Sequence, residues 1–376
     1  MPSTVSVATT FAAVPDPRVD RTKKHLLGDI LVIALAAAVA GAESFPAVAA
    51  FGRAKRDWLA GFLRLPNGIP SPDTFRRVFA RLDPAAFGRC VSEWLGGVCQ
   101  ATGLRHIAID GKAVEGTRRA TFSGCLHLVN AWAAENRLIL GQEAVADGSN
   151  EITAIPELLK VLELKGALVT LDAAGCQVEV ARQIRTAGGD YLLAVKGNQP
   201  GLHDAVRAAV ERAAEGGFEG VAFDHHTIAE RNRGRGKVRS VSALYDPAGL
   251  PPDWPGVAAV VSLLRERAVG GEVTNTVHYY VTSLRGTAEQ LGWLVRRHWA
   301  VENELHWTLD VCFREDASRT RTRHVGANLG LVRRVAVSLL KQDPSKESVP
   351  TKRLRAALDE QYLGRALRGF QGNKTP

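Results

Sequence analysis

The sequence has few cysteines for its length, five among 376 residues. They are Cys90, Cys99, Cys125, Cys176 and Cys312, and no two of them stand in a Cys-x-x-Cys pair. A zinc ribbon and a thioredoxin-type redox motif therefore find no support. The pattern is typical of free thiols in a reducing compartment, which predicts a cytoplasmic protein.

Long apolar runs are also missing. The stretch from Ile30 to Ala40 is apolar, but it reaches only about half of the roughly 20 residues that a membrane-spanning helix needs. Arg21, Lys23 and Lys24 precede it, as basic residues precede the apolar part of a signal peptide, but the run begins too far from Met1. The segment predicts a buried helix, and the sequence predicts no membrane partner.

Internal repeats, low-complexity segments and His-rich clusters are absent from the sequence too. Hydrophobic residues make up 45% and charged residues 23%, which is ordinary for a soluble globular protein. The length gives room for about two domains. An excess of 48 Lys and Arg over 39 Asp and Glu gives a formal charge of +9. This excess favours an anionic partner, nucleic acid first, although it is equally compatible with solubility alone.

The N-terminal third predicts helices. Residues 1–20 are small, polar and proline-containing, and we expect them to be disordered. Residues 21–100 predict an all-helical domain whose basic faces either bind DNA or a partner or are simply solvated. A turn-forming segment, 66–73, ends at two candidate helix caps, Ser71 and Asp73. The predicted helices are 25–42, 45–63, 74–81 and one from 83 to about 99.

From residue 105 the pattern changes to strands and helices in the order strand, strand, strand, helix, strand, helix, strand. This order predicts an α/β fold, a ribonuclease-H-like mixed sheet flanked by helices, over residues 101–343. The predicted strands are 105–110, 126–134, 137–146, 167–172 and 190–195, and the helices are 152–164 and 177–187.

Residues from about 200 to 285 interrupt that pattern and predict a β-rich insertion. Helices then follow at 287–310 and 325–342, and residues 344–376 form a basic, loosely attached tail. Within the insertion, a helix at 202–214 precedes strands at 221–230, 237–244, 257–264 and 276–284.

Two of the predicted strands end on an aspartate. Asp110 follows an Ile-Ala-Ile run and precedes Gly111 and Lys112, and Asp172 follows Val-Thr-Leu. Either aspartate alone is compatible with a plain strand end followed by a turn. If the strands are neighbours, however, two carboxylates meet at one sheet edge and repel each other unless a divalent cation lies between them. No glycine-rich run precedes Lys112, so this is not a Walker loop.

A third carboxylate would complete a two-metal site. The helix 287–310 offers Glu302 and Glu304, between which the residues themselves do not decide, and a glutamate near an apolar face is more often salt-bridged than catalytic. Carboxylates holding Mg²⁺ or Mn²⁺ suit phosphoryl transfer, in which two ions activate the nucleophile and stabilise the leaving oxygen.

Basic residues recur at every second position in two segments. On an extended chain such residues point the same way and track a phosphate backbone, whereas the commoner role of a charge run is solvation. Lys196 and Asn198 follow the last core strand and are further candidates for DNA contact. Trp299 and Trp307 are candidates for base stacking, with core packing the commoner role. The two basic stripes consist of Arg231, Arg233, Arg235, Lys237 and Arg239, and of Arg319, Arg321 and Arg323.

The motifs that carry these residues resemble the DDE transposases of ISAs-type insertion sequences, including the H-repeat-associated proteins. The likeness lies in IAIDGK, LHLVNAW, SNEITAIPELL, VTLDAAGCQ, GGDYLLAVKGNQ and HWAVENELHWTLDVCFREDASRTR. Upstream, VPDPR, FGRAKRDWL and NGIPSPDTFRRVFARLDP resemble that family's transposase-associated domain. The resemblance extends from about residue 12 to residue 343.

The resemblance implies a metal-dependent DNA transposase with Asp110, Asp172 and Glu302 as its DDE triad. It selects Glu302 over Glu304, because the family's glutamate stands three residues after Trp299. It also implies two Mg²⁺ or Mn²⁺ ions, double-stranded DNA partners (terminal inverted repeats and target) and a homodimer in the synaptic complex. Two alternatives are an inactive DNA-binding relic of a mobile element and a host nuclease on the same fold.

The sequence departs from the Tyr-Arg-Glu-Lys signature of the broader superfamily. Val295, His298 and Leu309 stand where that signature has tyrosine, arginine and lysine. The roles of Arg297, His298 and Asp310 are therefore open, with Arg297 and His298 taken as candidate DNA contacts. Lys112 is also open between neutralising carboxylates, touching DNA and facing water.

Overall fold

The computed structural model describes residues 7–98, 105–118, 124–146, 149–232, 235–269 and 272–369. Its contacts divide the chain into two units. The first unit comprises residues 1–101, 111–150 and 301–376, and the second comprises 102–110 and 151–300.

The strands form one mixed sheet, which holds nine strands in the described part of the chain, in the order β3-β2-β1-β4-β5-β9-β8-β7-β6. Strand β1 pairs in parallel with β4, and β4 with β5. The ribonuclease-H-like fold predicted from the element order is confirmed. The strands are β1 Arg105–Val114, β2 Leu126–Ala133, β3 Leu138–Ala144, β4 Ala167–Leu171, β5 Asp190–Val195, β6 Phe223–Asn232, β7 Arg235–Tyr245, β8 Ala259–Val269 and β9 Glu272–Thr282.

The second unit has parallel strands at its centre. Strand β4 is buried along its whole length, as expected of a strand covered on both faces. Gly188 has a φ of +77° in the turn before β5, a conformation that glycine adopts at least cost. The helices of this unit are α7 Glu151–Lys160, α8 Val178–Thr186, α9 Pro200–Glu215 and α10 Ala288–His298.

The insertion adds four antiparallel strands to the same sheet, as the β-rich pattern predicted. Strand β9 pairs with β5, with Val195 opposite Tyr279, and β8, β7 and β6 follow outward. Val241 and Val261 of these strands pack with Leu291 and Leu294 of α10 and with Leu168 of β4. The insertion and the parallel centre therefore share one apolar core under α10.

The first unit is mostly helical and contains β2 and β3. Every residue of α2 except Gly28 is buried, and the central part of α12 is buried as well. Ser71 caps α5, since its Oγ accepts from the N–H of Thr74 at 3.2 Å, and Pro72 occupies the first turn. The helices are α1 Val7–Ala12, α2 Leu27–Val39, α3 Phe45–Ala54, α4 Arg56–Ala60, α5 Pro72–Arg81, α6 Pro84–Val98, α11 Trp307–Phe313, α12 Val325–Gln342, α13 Val349–Leu358 and α14 Glu360–Leu367.

Three single-turn 3₁₀ segments lie in the described part of the chain, at Asp20–Thr22, Glu115–Thr117 and Glu315–Ala317. Among the described residues, every helix is too short or too polar to cross a membrane.

The predictions for the two ends of the chain are wrong within the described residues. In the segment predicted to be disordered, Phe11 of α1 is buried and its ring meets those of Phe87 and Trp94. The basic tail forms α13 and α14, and the Tyr362 hydroxyl donates to Asp343 at 2.7 Å. The basic residues of this segment predicted a solvated tail, but Arg353 is buried and its guanidinium donates to backbone carbonyls. Residues 1–6 and 370–376 lie outside the description.

The predicted single helix 287–310 is also wrong. Helix α10 ends at His298, a π-helical segment covers Val301–His306, and α11 begins at Trp307. A π turn closes i→i+5 hydrogen bonds and shifts the phase of the side chains, so the apolar stripe of α10 does not continue through it. Glu302 is consequently exposed instead of lying near an apolar face.

Candidate active site

Asp110 lies on β1, and Asp172 directly follows the neighbouring parallel strand β4, both in the second unit. Ile109 of β1 is the register partner of Leu171, the last residue of β4. Asp110 is the residue after Ile109, and Asp172 is the residue after Leu171. Strands in a sheet are about 5 Å apart, so the two carboxylates start from adjacent backbone positions. Strand β1 continues to Val114, beyond its predicted end at residue 110.

The Asp172 carboxylate is half-buried at the start of a tight loop. Its Oδ1 accepts from the N–H of Gly175 at 3.2 Å. Burial raises the pKa of Asp172, and the negative charge of Glu151 adds to this, while the N–H groups of Gly175 and Ala174 and the charge of Lys196 oppose it. The positive charge near Asp172 therefore does not fully offset the cost of burying its ionised form.

The loop after Asp172 is held by the segment that follows β5. The Asn198 side chain donates to the carbonyl of Ala173 at 2.6 Å, and that of Gln199 donates to the carbonyl of Cys176 at 2.9 Å. Asn198 was predicted to contact DNA; in the structure its amide holds this loop. Gln199 belongs to the same polar segment, Lys196 to Gln199, which the sequence predicts near the active edge, but it was not among the predicted DNA contacts.

Gly175 is required in this loop by packing. A Cβ at that position would lie 2.6 Å from the Leu171 side chain and 3.2 Å from that of Ile155. The loop therefore closes tightly over the end of β4, where Asp172 stands.

A chain of side-chain hydrogen bonds lies behind the aspartates in the second unit. Thr170 Oγ1 is 2.8 Å from His106 Nε2 and 2.9 Å from His298 Nδ1. Burial lowers the pKa of His106 to about 3 and that of His298 to about 4. The prediction of His298 as a DNA contact is not supported, because a neutral imidazole bonded to Thr170 offers no positive charge to phosphate.

The glutamates belong to the first unit and differ in their surroundings. Glu302 is exposed in the π-helical segment, whereas Glu304 is half-buried and pairs with Arg137 at 3.2 Å. A protein cation thus already accompanies Glu304. Across the described ranges, no group of three or more His, Cys, Asp or Glu side chains is arranged to hold a metal ion.

Lys112 is a correction to the predicted DNA-binding set. Its side chain is only 7% exposed, and its ammonium lies 2.7 Å from Asp310 Oδ1 and 3.0 Å from Asp316 Oδ1. It neutralises carboxylates, but those are Asp310 and Asp316 of the first unit. Burial raises the pKa of Asp310, and the hydrogen bond and charge of Lys112 oppose that rise.

The first basic stripe does not run along one extended strand. Arg231 lies on β6, while Arg235, Lys237 and Arg239 lie on β7, and the two strands pair antiparallel. Arg239 pairs with Glu230 at 2.9 Å. Lys237 is exposed, and Arg233 lies outside the described residues.

The second stripe has no strand at all. Arg319, Arg321 and Arg323 are exposed in the irregular segment between the 3₁₀ turn at 315–317 and α12. Arg323 has a φ of +45°, which breaks the alternation that a single-faced stripe needs. Neither set of basic residues therefore lies on one face of a single strand, and the contact of these residues with DNA stays a prediction.

Exposed cations and tryptophans remain as candidates for nucleic-acid contact. Lys196 is exposed after β5. The expectation of core packing is wrong for Trp299 and Trp307, which are 40% and 57% exposed. The Arg265 guanidinium lies 5.8 Å from the ring centre of Trp299, and that of Arg297 lies 6.0 Å from that of Trp293.

Comparison with known proteins gives two family matches. Residues 8–95 match the DDE_Tnp_1-associated family, and residues 101–336 match the transposase DDE domain. The H repeat-associated putative transposase YhhI of Escherichia coli is 34% identical over 368 residues, which cover 96% of this chain and 97% of that protein.

Two further relatives match smaller parts of the chain. A protein encoded in the dhlA 3′ region of Xanthobacter autotrophicus is 43% identical over 281 residues, 73% of this chain and 92% of that protein. The inactive transposase YbfQ of Escherichia coli is 36% identical over 71 residues, 19% of this chain and 84% of that protein.

Proposed function

The chain belongs to the DDE transposase family, and on this premise we propose that it cleaves DNA at the ends of an insertion sequence and joins them to target DNA. The observation that carries the proposal is that Asp110 and Asp172 each follow by one residue the register pair Ile109 and Leu171 of two parallel strands. The undercompensated charge of Asp172 supports it.

We propose Asp110, Asp172 and Glu302 as the catalytic carboxylates, which would hold two Mg²⁺ or Mn²⁺ ions. Carboxylate oxygens are the ligands that these hard cations prefer, and the raised pKa of Asp172 indicates a carboxylate that a cation would stabilise. When bound, such ions supply an activated water or 3′-hydroxyl and a stabilised leaving oxygen. Glu302 is chosen over Glu304 because it stands three residues after Trp299, as the family's glutamate does.

The chain's own residues then have separate tasks. Asn198 and Gln199 hold the loop that carries Asp172. The exposed cations Lys196, Lys237, Arg319, Arg321 and Arg323 would contact the phosphates of terminal repeats and target, giving salt-sensitive affinity. We further propose that two copies assemble in the synaptic complex and that the protein acts in the cytoplasm.

Asp172→Asn tests the proposal. Loss of a metal ligand removes several kcal/mol of transition-state stabilisation, which corresponds to a fall of at least roughly 10²-fold in rate. Mg²⁺-dependent cleavage of labelled duplex with terminal repeats should fall by that factor, while DNA affinity in a gel-shift assay stays near that of the parent. Glu179→Gln is the matched control, an exposed carboxylate of α8 in the same unit, and should cleave normally.

The alternatives give distinct results in the same assay. A parent chain that binds DNA but never cleaves it would be a relic. Cleavage without any joined product would indicate a nuclease. Wild-type cleavage by Asp172→Asn would contradict the assignment of the site.

A further inference from the structure

The face of the sheet that carries the two aspartates also carries His106 and Thr170. Side chains of a strand alternate between its faces, so Thr170 shares a face with Asp172 two residues later, and His106 shares one with Asp110. Ala108 is the register partner of Thr170. Thr170 therefore lies two residues before Asp172 on the same face of the sheet, beside the small side chain of Ala108.

The hydroxyl of Thr170 joins three elements. It is within hydrogen-bond distance of His106 on β1 and of His298, the last residue of α10. A hydroxyl has a single proton, so it donates to one imidazole and accepts an N–H from the other. The two rings are thus held in defined, linked tautomers.

Apolar packing around the hydrogen bonds of Thr170 holds the same elements together. Leu291 and Leu294 of α10 pack with Leu168 of β4, and the Trp293 ring centre lies 6.4 Å from that of His106. The end of α10 is consequently held to β1 and β4 by apolar contact as well as by the Thr170 hydroxyl.

We infer that His106, Thr170 and His298 are positioning residues, which hold β1, β4 and the end of α10 in the register that the aspartate pair needs. The inference rests on the proposed function. It gives His298 a task other than contact with DNA. None of the three touches substrate, and each acts through Asp110 or Asp172.

The test is Thr170→Val, which keeps the shape of the side chain and removes the hydroxyl. The matched control is Thr282→Val, since Thr282 is equally buried in the same unit and donates to the carbonyl of Tyr191 at 2.6 Å. We expect Thr170→Val to lower kcat for Mg²⁺-dependent cleavage by about 10²-fold, as small misplacements of reacting groups do, with Kd for DNA within about twofold. Thr170→Ser should restore most of the rate, and Thr282→Val should cleave normally.

Equal rates for Thr170→Val and Thr282→Val would overturn the inference, as would a loss that Thr170→Ser does not restore. If the parent chain does not cleave DNA at all, the proposed function fails, and Mn²⁺ affinity measured by electron paramagnetic resonance then decides the inference separately. Thr170→Val should weaken that affinity by about tenfold, as loss of supporting hydrogen bonds around a metal site does. Mn²⁺ affinity equal to that of Thr282→Val would overturn it.

Discussion

Asp172 differs from the pair Asp310 and Asp316 in how its charge is compensated. Asp310 and Asp316 lie around the buried ammonium of Lys112 at 2.7 and 3.0 Å. Among the described residues, no cation lies within ion-pair distance of Asp172. Its carboxylate accepts hydrogen bonds from backbone N–H groups, and Lys196 acts on it only through longer-range electrostatic attraction. Neighbouring carboxylates are therefore no evidence of a metal site until the protein's own cations have been assigned.

The largest expected effect is on the compensated pair. Lys112→Met should lower the free energy of unfolding by about 2–3 kcal/mol, because it leaves two partly buried carboxylates facing each other. The value is below that of a fully buried pair, since Asp310 and Asp316 are 35% and 41% exposed. Urea unfolding measures it. A change below about 0.5 kcal/mol would show that Lys112 contributes little.

A smaller effect should come from His106 and His298, which lie next to Thr170 in the unit that carries Asp110 and Asp172. Their folded pKa values, about 3 and about 4, lie below the unfolded value, so the unfolded chain binds more protons at acidic pH. Stability should be fully present above pH of about 6.5 and fall toward pH 4, by up to roughly 1.4 kcal/mol per pH unit for each histidine. Urea unfolding of the parent and of His106→Leu between pH 7 and 5 measures the difference in slope. Parallel slopes would contradict the assignment of His106 as buried and neutral.

Removing the charge of Asp172 should change stability less than either of the two preceding variants. The raised pKa of Asp172 means that its ionised form costs stability above that pKa. Without added metal, Asp172→Asn should therefore raise the free energy of unfolding by at most about 1 kcal/mol. A loss of stability comparable to that in Lys112→Met would place Asp172 among the structural carboxylates.

The smallest effect concerns the exposed cations. Lys237→Ala should leave stability within about 0.5 kcal/mol and should weaken DNA binding slightly, with a salt dependence of the affinity that is lower by about one phosphate contact. Gel-shift titrations at several salt concentrations measure this. Arg239→Ala is the matched comparison. Because Arg239 already pairs with Glu230, its loss should change the salt dependence of DNA binding less than the loss of Lys237.

The comparison also marks what the sequence could predict. Local runs such as Val-Thr-Leu before Asp172 predict buried parallel strands, and the order of elements then makes those strands neighbours. The partner of Lys112 could not be predicted, since Asp316 is 204 residues away along the chain. Local periodicity also could not reveal that Arg231 and Arg235 lie on different strands, or that a π-helical segment exposes Glu302.

Mn²⁺ binding to Asp172→Asn and Asp310→Asn tests the central claim most directly. Electron paramagnetic resonance counts bound ions and gives their affinity without requiring catalysis. We expect Asp172→Asn to lose high-affinity Mn²⁺ binding and Asp310→Asn to retain it, because Lys112 already supplies a cation to Asp310. Equal Mn²⁺ affinity in the parent and in Asp172→Asn would contradict the account.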